Sequence, residues 1–253
     1  MKWFYIWSEK YSEFHKYLQE AITDAGFEAY PIYISQERFS KELYQQFSDS
    51  PWAGCNIKVL EIIKILKDGR EDEGFMFTDV DIYIRDKCNA NTVIALYDSF
   101  PELEMVFSPE GKSLQIGSMF LRRNARVLGF WEKILELCIQ NPQKMDQTII
   151  KEEIASYPVD AWKIFPPEHV LNCHNIAHIF ERQFLIFNLM TNNSENQDND
   201  IEHKREEFNF CIEYLISQKI IGAENRRHFI PLRNGGYLKV SLPELAQASA
   251  HLE

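Results

Sequence analysis

Phe75-Met76-Phe77-Thr78-Asp79-Val80-Asp81-Ile82-Tyr83-Ile84 is a crowded run of apolar, aromatic and β-branched side chains, preceded by Gly74 and broken by two carboxylates. Runs of this kind form strands buried on both faces of a parallel sheet. An ionised carboxylate inside such a strand is costly unless it is paired or metal-bound, which predicts that Asp79 and Asp81 lie where the strand leaves the sheet. Open α/β sheets bind ligands in the crevice at that end.

In extended chain, residues i and i+2 point to the same side. Both carboxylates can then converge on one hard divalent cation, whose other positions stay open to water and substrate phosphates. The plainer alternative is a strand-end pair that caps a turn or the following helix.

With 253 residues and 45% hydrophobic content the chain can bury a sizeable core, which excludes disorder throughout. A net charge of -11 argues against a nucleic-acid partner, whose phosphates call for a basic surface. Cys55, Cys88, Cys138, Cys173 and Cys211 are odd in number and lack a Cys-x-x-Cys spacing, the pattern of free thiols in a reducing compartment. The start of the chain has no signal-peptide pattern, and no apolar run approaches a membrane span in length. A soluble cytoplasmic protein is expected.

Outward from the central run, strands and helices alternate. Trp3 to Trp7 predicts a first strand, Ser12 to Ala25 a helix with its stripe at Phe14, Tyr17, Leu18, Ala21 and Ile22, and Phe27 to Ile34 a second strand. Asn56 to Leu66 is a helix with little polar surface, feeding the strand at Phe75. This β-α-β-α-β order predicts a mostly parallel sheet with helices on both faces. Ser8, after the first strand, either caps a helix or meets a nucleotide in the first β-α loop. Lys58 either reaches a phosphate or is solvated along its helix.

Downstream, Asn91 to Phe100 and Ala125 to Gln140 are helical, Glu104 to Ser108 is a short strand, and Gln115 to Asn124 is a strand carrying Gly117. That glycine permits close approach of a ligand or of another backbone. Arg122 and Arg123 offer charge to a phosphate, or are solvated at a strand end. Asp146 caps the helix that runs to Ile154, or joins Gln147 in gripping sugar hydroxyls. A last short strand is expected near Trp162, followed by a rigid turn. Cys173, His174 and His178 raise a zinc site, but no second ligand cluster of recognisable spacing accompanies them, and one histidine completing the carboxylate-bound cation is better motivated.

Taken together, Asp79-x-Asp81, the strand Ile116-Gly117-Ser118-Met119-Phe120-Leu121-Arg122, the pair Asp146-Gln147 and the late His174-Asn175 resemble the nucleotide-diphospho-sugar transferases with the A-type glycosyltransferase fold. The likeness runs from Met1 to about Phe187, and order and spacing carry it. It implies a metal-dependent transferase acting on a nucleotide-diphospho-sugar, a UDP-sugar as first choice, with a saccharide or lipid-linked acceptor that would allow a peripheral place at a membrane. Asp79 and Asp81 would hold Mn2+ or Mg2+ against the donor diphosphate, with Asp79 also near the ribose and His174 as a later ligand. Asp146 and Gln147 would face donor sugar and acceptor, and Lys58 matches a family lysine in the helix before the metal strand. The chain departs in having Gln115-Ile116-Gly117 where similar proteins often carry Asn-x-Gly.

Residues 1–190 are thus expected to form the α/β domain, with a polar linker at 191–204 and a small α+β appendage at 205–253 that docks on it or on a partner. In the appendage, a helix from Phe208 to Gln218 and a hairpin around Asn234-Gly235-Gly236 are expected. Two other classes stay open. One is a haloacid-dehalogenase-type phosphatase with Asp79 as nucleophile, although that motif normally opens its domain and here two β-α units precede it. The other is a non-catalytic protein that binds a sugar nucleotide or serves as a scaffold.

Overall fold

A computed structural model describes residues 1–38, 40–41, 50, 52–110, 113–173, 186–189, 197–233 and 235–237. The elements are β1 (Lys2–Trp7), α1 (Ser12–Asp24), β2 (Glu28–Tyr33), α2 (Ala53–Lys67), β3 (Gly74–Thr78), β4 (Ile82–Ile84), α3 (Lys87–Asp98), β5 (Met105–Glu110), β6 (Ser113–Arg122), α4 (Ala125–Gln140), α5 (Asp146–Glu153), β7 (Trp162–Ile164), β8 (Val170–Cys173), β9 (Ile186–Leu189) and α6 (Gln197–Ser217). Six strands form one sheet in the order β2-β1-β3-β6-β5-β7, and β4-β9-β8 form a second. In the large sheet β6 alone runs against its neighbours, so the sheet is mostly parallel, as expected.

The two-residue period of the strands sorts the core into two layers. Trp3, Tyr5 and Met76 face α1, α3 and α6, where Phe14, Leu18, Ile94, Phe208 and Leu215 meet them. Phe4, Phe75 and Phe77 face the opposite way, onto Ile62 and Leu66 of α2 and Phe130, Trp131 and Ile134 of α4. Burying each of these large side chains contributes roughly 1.5–3 kcal/mol, so the sheet centre is the firmest part of the molecule. The close approach at the start of β3 needs glycine. A Cβ on Gly74 would lie 2.1 Å from Asp98 Oδ1 and 2.6 Å from the Phe120 ring.

Three expectations need correction. The ten-residue run is two strands in two sheets, because the chain breaks at Asp79–Asp81 and Ile82–Ile84 pairs with β9. Arg122 and Arg123 are buried rather than solvated. β6 is antiparallel to β3, which carries them to the far end, where Arg122 donates to the carbonyls of Asp72, Leu103, Asp98 and Phe100 and Arg123 to Ile65 O and Glu73. Residues 197–204 are helical where a linker is expected, because α6 extends the apolar stripe of Phe208, Cys211 and Leu215 upstream to Ile201. At the expected hairpin, a turn closes between Leu232 and Gly236 with Gly235 at φ +80°; residues 234 and 238–240 lie outside the described set.

Candidate active site

The break after β3 makes the site. Asp79 is the first residue beyond Thr78, and its backbone N–H still donates to Gly117 O at 2.8 Å, which fastens the turn to β6. β1 runs parallel beside β3 and ends at Trp7, so Ser8 arrives at the same edge. Asp79, Asp81, Ser8, Tyr11, Ile57 and Lys204 border one cavity of about 460 Å³.

Behind the first carboxylate stands Lys58 of α2. Its Nζ lies 2.7 Å from Asp79 Oδ1 and donates to Ile116 O at 3.3 Å. Burial alone would push this ammonium down, but Asp79 and then Asp146 hold it above its ordinary value. Burial pushes the Asp79 carboxyl up, Lys58 pulls it back, Asp81 opposes, and the balance lies above the usual value. The Cys55 thiol beside them is pushed up to about 12, mainly by burial and then by Asp146, which makes it an inert packing group.

The second carboxylate has a different partner. Lys204 of α6 places its ammonium on Asp81 Oδ2, inside hydrogen-bond distance. Burial would lower this ammonium too, yet Asp81, with Tyr11 and Asp79, keeps it raised. Each carboxylate of the pair thus carries one lysine.

No family profile matches the chain, and no curated protein matches its sequence. Solved structures do match its shape. A glycosyltransferase involved in glycosylation of the major capsid of PBCV-1 superposes with a TM-score of 0.53 at 16% identity, over 80% of this chain and 98% of that one. The galactosyltransferase LgtC, solved with donor and acceptor sugar analogues, superposes with a TM-score of 0.52 at 10% identity, over 90% and 100%. The chain has the A-type glycosyltransferase fold.

Within this fold the residues singled out from sequence separate into three groups. Ser8, Lys58, Asp79, Asp81 and the backbone of Gly117 converge at the end of β3. The Gln115 side chain supports that point, accepting from Gly117 N at 2.5 Å and from Ser108 Oγ at 2.8 Å. Asp146 and Gln147 are set back from the cavity. Gln147 donates to Glu110 Oε2 at 3.0 Å, and Asp146 is the first residue of α5 rather than its cap, with Oδ1 accepting from Gln147 N at 2.7 Å and Oδ2 buried without a partner. Burial pushes the Asp146 carboxyl up, against the pull of Lys58. His174 and His178 lie outside the described residues.

Lys204 is the site residue that sequence reasoning missed. Ile201, Lys204, Phe208, Cys211 and Leu215 share one helical stripe, so a lysine at a core position was the available signal. Starting the helix at Phe208 hid it.

Among the described residues no cluster of three or more His, Cys, Asp or Glu side chains surrounds one point. The donor chemistry still fits Mg2+ or Mn2+, since such ions are commonly bound by one or two carboxylates, with waters and substrate phosphates filling the other positions. No helix among the described residues is long and apolar enough to cross a membrane.

Proposed function

We propose that the chain is a metal-dependent glycosyltransferase, moving a sugar from a nucleotide-diphospho-sugar to a hydroxyl of a saccharide or lipid-linked acceptor. One observation carries this: two carboxylates at the end of β3 in an A-type fold border a cavity of about 460 Å³, a size that suits a nucleotide diphosphate. Charge supports the metal. Asp79, Asp81, Lys58 and Lys204 sum to zero and Lys10 on the same lining adds one positive charge, so the two or so negative charges of a sugar-nucleotide diphosphate leave an excess that a divalent cation offsets.

Transfer breaks the bond from the anomeric carbon to a diphosphate oxygen as the acceptor oxygen bonds to that carbon, its proton passing to the departing diphosphate or to water. Negative charge gathers on the departing diphosphate. Asp79 and Asp81 would hold a divalent cation, which would supply electrostatic stabilisation of that charge, strongest in the transition state. Lys58 favours the ionised form of Asp79 against the pull of burial and fixes its carboxylate, and Asp146 acts behind Lys58 as a positioning residue. UDP-sugars are the first donors to try.

Calorimetric titration with UDP, GDP, CDP and CMP, each with Mn2+ and with chelator, tests the proposal. Binding of one diphosphate that depends on Mn2+ is expected. Failure of all four to bind with Mn2+ present would overturn it.

A further inference from the structure

Lys58 and Lys204 look alike on paper and differ in how they are held. Lys58 is fixed from several sides, by Asp79, by Ile116 O and by the charge of Asp146 behind it. Lys204 has one hydrogen-bond partner among the described residues, Asp81, and its stem runs along the cavity wall. Its ammonium lies 5.8 Å from the centre of the Tyr11 ring.

The helix that delivers Lys204 is firmly seated. Phe208, one turn further on, packs edge-on against Tyr17 at 4.7 Å and Phe14 at 5.6 Å, and Arg205 reaches Glu13 at 3.5 Å. The backbone at Lys204 is therefore a fixed post. A lysine carries a compact charge on a flexible four-carbon stem, so its ammonium can leave one oxygen for another several ångströms away while the helix stays still.

An ammonium on Asp81 Oδ2 keeps a divalent cation off that oxygen and, by like charge a few ångströms away, weakens its hold on the other. Resting on the reading that this pair holds a metal, we propose that Lys204 is a tethered cation that competes with the metal for Asp81. In the free protein it occupies the carboxylate and keeps affinity for a bare divalent ion low. When a diphosphate enters, its oxygens offer the ammonium a second partner, and Asp81 is released to the ion that arrives with it. Metal and nucleotide then bind with positive coupling, each raising affinity for the other by the same factor.

The test is titration of Mn2+ alone, and of Mn2+ with UDP, GDP and CDP, into wild type, Lys204→Met and Lys204→Arg. Met keeps the apolar stem packed and removes the charge. Lys204→Met is expected to bind bare Mn2+ about tenfold more tightly than wild type, with the mutual enhancement between Mn2+ and the diphosphate reduced. Lys204→Arg is expected to keep bare Mn2+ affinity as low as in wild type. Unchanged Mn2+ affinity in Lys204→Met overturns the competition, even where wild type binds a diphosphate with Mn2+. Wild type that binds no diphosphate under any condition overturns the transferase reading instead, a separate failure. Should Lys204→Met fail to fold, Lys204→Gln takes its place with the same expected and contradicting results.

Discussion

The two ends of the β3–β6 pair both hold buried charge, and they use it differently. At the Gly74 end, Arg122 is closed in by four backbone carbonyls and Arg123 by Ile65 O and Glu73 at 2.5 Å. At the Thr78 end, Asp79 and Asp81 each take one lysine and border a cavity. A charge satisfied on all sides by fixed backbone is a structural clamp. Charge paired on one side and open on the other is available to a ligand. Burial alone does not tell them apart, because Arg122 and Asp81 are 5% and 6% exposed.

Substitution should separate the ends cleanly. The largest effect is expected at the open end: Asp81→Asn or Asp79→Asn should lower metal-dependent diphosphate binding and any transfer activity by about 10²-fold, read by calorimetry and donor turnover. Asp81→Asn should leave the melting temperature within a few degrees of wild type, since Lys204 can turn into the water of the cavity. Near-wild-type binding by both variants would place the ligand elsewhere.

The closed end should answer in the opposite way. Arg122→Met removes a largely buried guanidinium and leaves four carbonyl oxygens without their donor, and roughly 3–5 kcal/mol of stability should go with it. In urea or thermal unfolding that is a fall in Tm on the order of 10 °C. Diphosphate affinity measured well below the new Tm should stay the same. A loss of affinity without a loss of stability would erase the distinction between the ends.

The smallest effect sharpens the role of Asp146, which belongs to neither extreme. Its carboxyl is raised by burial, so the folded state holds a proton more tightly than the unfolded chain does. Its contribution is fully favourable below the ordinary carboxylate value and is lost as pH rises through the raised one. Asp146→Asn should therefore have a higher Tm than wild type at pH 7, and the gain should shrink as pH falls toward the ordinary carboxylate range. A gain independent of pH would show that packing, not ionisation, sets the difference.

The sequence made the large sheet legible because its signals are local. The stripe of α1, the apolar run of β3 and the glycine at Gly117 each state their own surroundings. It marked Asp79 and Asp81 for the same reason, as carboxylates where an apolar strand ends; Lys58 was singled out only through the family likeness, since its own helix equally allows a solvated lysine. What stayed hidden depends on pairing across long distances. Whether Arg122 is solvated turns on β6 running against β3, and nothing within Ser113–Arg122 announces that direction. Lys204 meets Asp81 across 123 positions of sequence, through a helix whose first turns are polar and whose apolar stripe emerges only once α1 is known to cover it. The break between β3 and β4 was equally invisible, since Ile82-Tyr83-Ile84 is as good a strand in the second sheet as in the first.

The central claim is that the carboxylate pair at the end of β3 receives a divalent cation together with a nucleotide diphosphate. Crystals grown with Mn2+ and UDP, measured at the manganese absorption edge, test it most directly. An anomalous peak beside Asp79 and Asp81, with the Lys204 ammonium withdrawn from Asp81, is the expected result. UDP bound with no manganese at the pair, and Lys204 still on Asp81, would contradict it.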